Sequence, residues 1–285
     1  RKSLLIAASN LRRTKGQTVA ILALILLASA MLNLGLMLST DYKRNFDRCH
    51  DRLNDGHVTL VMTGNDTKQQ EFLYRTLEEE DGVEEYFCQD ALFMVGSFAY
   101  NGGEVNTEFV ILEKESALSR PVGRMEIVEE GEGKSGVYLP MLYGADGKIE
   151  LGDMMDINIG SHVMRYQVCG FLNSAMAGSH NCSMSALLLT ADRYEELERL
   201  GYAPASTFAS VRIRDKEESQ DFEAALKNKI SAAYPAQRVL SNAYGMVSSS
   251  RYISQMICSS VVNAMAFFVT LIALVVISSN VINYI

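Results

Sequence analysis

GHVTLVMTGNDTKQQEFLYRTLEEEDG, residues 56–82, has the order of a strand followed by a capped helix and a stop. Residues 56–63 alternate apolar and polar side chains, as a half-buried strand does. Asn65 or Asp66 is a capping residue, and Gly82 is a stop signal, so the run between them predicts a helix. Apolar residues recur along one face of that helix, namely Phe72, Leu73 and Leu77.

The same order of elements returns near the other end of the charged part of the chain. FASVRIR (208–214) is strand-like, and Asp215 with Glu218 forms a capping-box pattern for a helix that runs to Tyr234. A short strand, RVL, follows that helix. Another strand-like run begins near Val83, after the first helix, so the sequence predicts two β-α-β units. The region between them, about 92–206, has turn signals at Asn101-Gly102-Gly103 and Asp146-Gly147 and is predicted to be a β-rich insert.

Two charge-free stretches flank this mixed α and β region. Residues 18–39, TVAILALILLASAMLNLGLMLS, contain no charge, and a helix of that length is about 33 Å long, against a bilayer core of about 30 Å. No charge appears from Tyr252 to Ile285 either. Both stretches are predicted to span a membrane. A cleavable signal peptide is the rival interpretation of the first, because Ala28-Ser29-Ala30 resembles a cleavage site; a retained anchor is favoured because the run stays apolar through Leu38.

The charges are divided unequally along the chain. Residues 1–17 carry five positive charges and no acidic residue, whereas residues 40–250 hold all 34 acidic residues against 20 Lys and Arg. The large acidic part would repel phosphate groups, which argues against nucleic acid as a partner. Positive residues close to a membrane helix stay in the cytoplasm, so Arg12, Arg13 and Lys15 predict a cytoplasmic N-terminus. Residues 40–255 are then extracytoplasmic.

These boundaries give a predicted domain order. Residues 1–17 form a basic amphipathic lead-in, 18–39 a first span, 40–255 an extracytoplasmic α+β domain with helical stalks, and 256–285 a second span. Since the sequence starts without Met and stops within an apolar run, we expect a fragment of a longer protein. The spans also contain many small residues that let other helices approach, so we expect further helices or a partner.

No catalytic, cofactor-binding or metal-binding constellation is predicted. GEGKSG (131–136) resembles a phosphate loop, but Val128 stands where the first glycine is needed and the strand-like VYLP follows in place of a helix. Cys49-His50 with His57, and His180-Asn181-Cys182, lack known ligand spacing, and we expect surface or stalk positions for them. A disulfide between Cys169 and Cys182 is left open.

The order of several weak motifs resembles one family. YLP (138–140), LGD (151–153) and YQVCGF (166–171) follow one another in the insert, after a lead-in that contains NLRR (10–13). This order is similar to that of the MacB and FtsX family of ABC transporter permeases and covers nearly the whole chain. The residues that match the family pattern have structural roles in turns and close contacts: Pro140, Gly152, Asp153, Val168 and Gly170.

The resemblance implies a permease subunit in the plasma membrane of a bacterium. Such a permease forms a dimer with a second copy or a homologue, and a separate cytoplasmic ATPase drives movement of its extracytoplasmic domain for export or mechanotransmission. The chain itself would not be an enzyme, since the ATPase activity is expected on a separate subunit. The alternative is a two-span membrane sensor with an extracellular ligand-binding domain, because its layout is the same.

Overall fold

The computed structural model describes residues 15–64, 66–202 and 205–282. The chain divides into two compact units: the domain, Phe46–Ser250, and the helix pair, which comprises the described residues up to Asn45 and from Arg251 onward. Two long helices contribute to both units, α1 (Lys15–Arg52) and α6 (Tyr244–Ile282). The predicted lead-in lies mostly outside the described residues, since these begin at Lys15.

The domain contains strands and helices in a mixed order. Its strands are β1 (Val58–Thr63), β2 (Val83–Tyr100), β3 (Gly103–Glu113), β4 (Glu126–Glu130), β5 (Val137–Pro140), β6 (Met154–Ile159), β7 (His162–Asn173), β8 (Ser185–Leu189), β9 (Ser206–Ile213) and β10 (Val239–Ala243). Its further helices are α2 (Thr67–Glu79), α3 (Lys114–Leu118), α4 (Ala191–Arg199) and α5 (Ser219–Ala233). The predicted mixture of α and β structure is confirmed.

The two predicted β-α-β units, β1-α2-β2 and β9-α5-β10, are interleaved in one antiparallel sheet. The strand order is β10-β1-β9-β2, and each neighbouring pair is antiparallel. Each unit is therefore split by a strand of the other, which is the ferredoxin-like arrangement. Helices α2 and α5 bury Leu73, Leu77, Leu226 and Ile230 against apolar side chains of this sheet.

Helix α2 begins as the sequence predicts, whereas α5 does not. Asp66 caps α2, because its carboxylate accepts a hydrogen bond from the main-chain N of Lys68 at 3.0 Å. Asp215 instead caps a short 3₁₀ turn, Lys216–Glu218, by accepting from Glu217 N, and α5 starts only at Ser219. The capping box predicted to open α5 directly is therefore wrong, since one tight turn lies between the cap and the helix.

The insert forms a closed barrel. Strands pair in the order β2-β3-β8-β5-β7-β6, and β6 pairs back with β2 through Gly96 and Ile159. Every one of these strands contributes side chains to one buried apolar cluster, which fills the barrel interior. Strand β2 belongs to both sheets, because residues 83–91 pair with β9 and residues 92–100 pair with β3.

The helix pair has apolar outer surfaces. Among the described residues, one helix, Tyr244–Val276 within α6, is long and apolar enough to cross a membrane by length and composition; the apolar part of α1, Leu22–Leu38, is shorter. Small residues lie at the contact between the two helices. Ala28, Ala266 and Ala273 are buried there, and a Cβ on Gly35 would overlap the side-chain amide of Asn263.

The closure of the barrel predicts the effect of a substitution at Gly96. A Cβ on Gly96 would lie 2.7 Å from the main-chain O of Asn158 on β6 and 2.7 Å from the Phe109 ring. We expect Gly96→Ala to destabilise the domain by about 1–3 kcal/mol, because neither neighbour can move without disturbing the barrel. Urea unfolding of the full chain in detergent measures this loss of stability. Gly103→Ala is the matched control, since the nearest atom there is 3.9 Å away; equal midpoints for both variants would contradict the closure.

Candidate coupling site at the helix ends

The last turn of α1 and the first turn of α6 meet inside the domain. Phe46, on α1, stacks on Tyr244, on α6, with ring centroids 5.7 Å apart, and both side chains are buried. The Tyr244 hydroxyl donates a hydrogen bond of 2.7 Å to Asp47. Burial, together with this bond, raises the pKa of Tyr244, so the hydroxyl keeps its proton and remains a donor. The two helix ends are thus joined by both apolar and polar contacts.

His57 connects these helix ends to the ferredoxin-like sheet. Its main-chain O accepts a bond of 2.7 Å from Tyr244 N at the start of α6. Its ring Nδ1 lies 3.1 Å from Ile213 N and 2.9 Å from Ile213 O, so either tautomer of the neutral ring is bonded to β9. Burial, assisted by electrostatic interactions with Arg212 and His50, lowers the pKa of His57 from 6.5 to about 4. The ring is therefore neutral at pH 7.

His50 completes an aromatic stack on α1. Its side chain is wholly buried, its Nε2 lies 3.1 Å from Gly56 O, and its ring stacks on His57 at 5.4 Å and meets Tyr244 edge-on at 4.8 Å. Its Nδ1 makes no hydrogen bond, although a carboxylate oxygen of Asp51 lies 3.6 Å away. His50 lies on α1, so the predicted stalk position is confirmed for it, although its side chain is buried. His57 lies beyond α1 and is also buried, so the predicted surface or stalk position is wrong for His57. Aromatic packing against α6 and the sheet buries both rings.

Asp55 connects the end of α1 to the loop between β7 and β8. Its carboxylate is buried and accepts bonds from Gly56 N at 2.8 Å, and from Ala175 N and Met176 N at 3.1 Å each. Burial raises the pKa of Asp55, while the His50 ring and the N–H donors oppose that rise. The three N–H groups donate hydrogen bonds to a carboxylate whose burial would otherwise cost considerable free energy.

A second segment, Arg120–Arg124, is also bound to the end of α1. Asn54 donates from its side chain to Pro121 O at 3.0 Å, and its own main-chain O accepts from Gly123 N at 3.0 Å. The Arg120 side chain is buried and donates to Ser210 Oγ at 2.8 Å, to Gly123 O at 3.1 Å and to Gln89. Burial lowers the pKa of Arg120 to about 10. The helix end is thus held from three sides: the sheet, the β7–β8 loop and this segment.

Neither histidine-cysteine pattern in the sequence forms a metal centre. Within residues 15–64, 66–202 and 205–282, no group of three His, Cys, Asp or Glu side chains could hold a metal ion. Cys169 is buried in the core around Tyr138, whereas Cys182 packs beside the cluster that contains Phe46 and Tyr244. No disulfide joins them, so the pairing that the sequence left open is not formed in the structure.

The residues that match the family motifs all lie on or beside β7. Pro140 lies opposite Leu172 in the parallel pair of β5 with β7. Val168 exchanges main-chain bonds with the turn before β6, accepting from Gly152 N at 2.9 Å and donating to Asp153 O at 2.8 Å. Gly152 has a φ of 92°, which favours glycine. A Cβ on Gly170 would lie 2.6 Å from the Tyr138 ring. The structure thus places these five residues around one strand, away from the helix ends.

GEGKSG is a turn between β4 and β5, as the sequence predicts. No helix begins after it, because β5 starts at Val137. The turn borders an open cavity of about 620 Å³ whose wall has Lys114 and Lys134 but also acidic residues: Glu113, Glu115, Glu130, Glu132 and Asp192. This excess of carboxylates disfavours a phosphate ligand.

Sequence reasoning missed the residues that make the helix-end site. No motif in the sequence marks Asp55, Arg120 or Asn242. Important partners lie far away along the chain: Met176 is 66 positions from Asn242, and Ala175 and Met176 are 120 and 121 positions from Asp55. A local sequence pattern does not reveal such distant pairs.

Taken together, the fold and the site define a mixed α/β domain in which the end of one long helix and the start of another meet at one buried site. No protein-family model matches the sequence, and no curated protein matches it significantly. Solved structures with a similar fold include the periplasmic region of MacB from Actinobacillus actinomycetemcomitans, 10% identical over 68% of this chain and 92% of that one, with a TM-score of 0.30. Another is the extracellular domain of the noncanonic ABC-type transporter YknZ from Gram-positive bacteria, 10% identical over 64% and 99%, with a TM-score of 0.30.

The lowered pKa of His57 predicts a dependence of stability on pH. Between the unfolded-state pKa of 6.5 and the folded-state pKa of about 4, the unfolded chain binds more protons. The contribution of neutral His57 is therefore full above about pH 6.5 and is lost as the pH falls toward 4. We expect His57→Asn, whose amide can replace the bond to Ile213, to lose less stability than the native chain between pH 7 and pH 5.

Urea unfolding at the two pH values measures this difference. Asp55 contributes to the pH dependence of stability with the opposite sign, because its pKa is raised in the folded state. Since Asp55 is present in both proteins, its contribution cancels when the two are compared. The exposed His180, changed to Asn, is the control and should leave the pH dependence unchanged. An equally steep loss of stability in His57→Asn would show that His57 is protonated in the folded state.

Proposed function

We propose that this chain is a permease subunit of an ABC transporter of the MacB/FtsX type. In this proposal a separate cytoplasmic ATPase hydrolyses ATP, and the resulting movement of membrane helices is passed to the domain, for export or for mechanotransmission. One observation carries the proposal: α1 and α6 are bound to each other, to the sheet and to the β7–β8 loop by buried contacts at one site.

The contacts at this site suit transmission of force. Tyr244, at the start of α6, is bonded both to Asp47 on α1 and to His57 beside β1. A shift of either helix would therefore break buried hydrogen bonds unless the sheet moved with it. Each buried partner left without its bond costs about 1–3 kcal/mol, so movement of the helix ends together with the domain is favoured over sliding.

The proposed topology has two membrane spans, residues 18–39 and 256–285. Large apolar side chains are exposed on both helices, for example Leu26 on α1 and Phe267 and Phe268 on α6, each more than 60% exposed. In water such surface would cost about 25 cal/mol per Å², whereas lipid removes that cost. The basic residues Arg12, Arg13 and Lys15 favour a cytoplasmic N-terminus in the plasma membrane. Residues about 40–255 are then extracytoplasmic.

The proposed partners follow from the same reasoning. A cytoplasmic ABC ATPase supplies the energy, since permeases of the type that the motif order resembles depend on one. A second permease copy or a homologue would cover further helix surface. Lipid surrounds the spans. The contacts at the helix ends do not distinguish substrates, and a force-transmitting permease need not carry one through the domain.

Thiol labelling of intact cells tests the topology. We expect Lys134→Cys, at an exposed position in the β4–β5 turn, to react with a membrane-impermeant maleimide. Arg13→Cys should react only after the cells are permeabilised, and the native chain supplies the background from its own cysteines. Protection of residue 134 together with labelling of residue 13 in intact cells would reverse the topology and contradict the proposal.

Co-purification tests the coupling to ATP hydrolysis. We expect the complete protein to purify with an ABC ATPase and to raise its rate of ATP hydrolysis severalfold in nanodiscs. The same ATPase without the permease is the control. A complete protein that binds no ATPase and continues after residue 285 into a kinase domain would favour the sensor instead.

A further inference from the structure

The loop that joins β7 to β8, residues 174–184, is held from both helix ends at once. We infer that this loop carries movement of α1 and α6 into the barrel, and that Asp55 and Asn242 are the positioning residues that hold it. We call Asp55, Asn242 and the loop together the loop clamp. The role of the loop in transmitting movement rests on the proposed function. The arrangement of the loop clamp rests only on contacts within the domain.

Asp55 holds the loop from the α1 side. It lies three residues beyond the last residue of α1, and its Oδ2 accepts bonds from the successive N–H groups of Ala175 and Met176, both at 3.1 Å. Its main-chain N is bonded to His50 O at 3.0 Å, which ties it to the last turn of the helix. A displacement of α1 therefore acts on this carboxylate and through it on the loop.

Asn242 holds the same loop from the α6 side. It lies on β10, two residues before α6 begins, and is fully buried. Its Nδ2 donates to Met176 O at 2.8 Å, and its Oδ1 accepts from Ser183 N at 2.7 Å. Met176 is thus bonded through its N–H to Asp55 and through its O to Asn242, so both helix ends meet at one loop residue.

The loop itself is built to pass on displacement. Ala175, Met176 and Ala177 are each at most 2% exposed, which is unusual because connecting loops mostly lie on the surface. Ala177 N is bonded to Ser174 Oγ at 3.1 Å, and Ala177 O accepts from Ala186 N, on β8, at 2.7 Å. Since β7 and β8 are both barrel strands and β5 pairs with each, movement of Met176 reaches the barrel wall.

Hydrogen exchange of the full chain in nanodiscs tests the clamp without any ATPase. Asp55→Asn weakens the acceptor for Ala175 and Met176, and Asn242→Asp removes the donor to Met176 O, and both changes nearly preserve volume. We expect each to raise the exchange rate of the peptide 174–184 about tenfold. Because both hold one residue, the double variant should exceed the faster single variant by less than threefold.

The control and the contrary outcomes are defined within the same experiment. Asn158→Asp removes a bond of 2.8 Å to Ser97 Oγ on the barrel wall and should leave exchange in the loop unchanged. Should a clamp variant fail to fold, Ser183→Ala tests the Asn242 side of the clamp, because it removes a hydroxyl that lies 2.7 Å from Asn242 Oδ1 and 2.8 Å from Ser241 O. The expected rise is about threefold. A double variant whose effect is the product of the single effects, or unchanged loop exchange, overturns the inference.

A second arm separates transmission from a structural role. In the complete complex with its ATPase, we expect ATP to change hydrogen exchange both in residues 244–250 and in β8. In the folded double clamp variant the change at 244–250 should persist while that in β8 is lost. Persistence of both changes overturns the inference. No ATP response at 244–250 in the native complex would instead count against the proposed function, and the loop experiment without ATPase would still decide the clamp.

Discussion

A buried carboxylate must be supplied with hydrogen-bond donors, and the arrangement around Asp55 meets this requirement. The donors come from Gly56 in the next position and from Ala175 and Met176, about 120 residues further along the chain. These donors meet at the Asp55 carboxylate only if three conditions hold. Helix α1 must end at Arg52, the chain must turn at Asn54 with its φ of 45°, and β7 must end where its loop lies beside Asp55. One polar group thus specifies how a helix end, a turn and the barrel fit together.

The barrel has a fixed position relative to the ferredoxin-like sheet because β2 belongs to both sheets. Residues 83–91 continue the ferredoxin-like sheet and residues 92–100 form the barrel wall, so no flexible linker separates the two parts. Their cores are correspondingly continuous: Val61 and Phe208 of the first sheet lie in the same buried cluster as Leu188 and Leu172 of the barrel strands. A rigid connection of this kind is needed if contacts at the helix ends are to affect the barrel.

The elements of the fold were largely predictable from the sequence, because their signals are local. The alternation at 56–63, the cap at Asp66 and the turn at Asn101-Gly102 each involve neighbouring residues, and the structure has a strand, a helix and a hairpin there. The interleaving of the two β-α-β units was not predicted, since strand order depends on pairings such as Val58 with Val211 that leave no local trace. Barrel closure through Gly96 and Ile159 was missed for the same reason.

The candidate site was the least predictable part, and the cause lies in how polar residues come to be buried. His50 and His57 look like exposed polar residues in the sequence, because their burial depends on Tyr244, which is nearly 200 positions away. The family motifs, by contrast, are rich in glycine and proline, whose backbone requirements are visible in the sequence itself. The motif residues therefore reveal the structure around β7 from the sequence alone. The residues that bind the helix ends can be recognised only once the fold has brought their distant partners together. The residues that resemble a family and the residues that would transmit movement are therefore two different sets. Strand β7 and the loop after it connect the two sets.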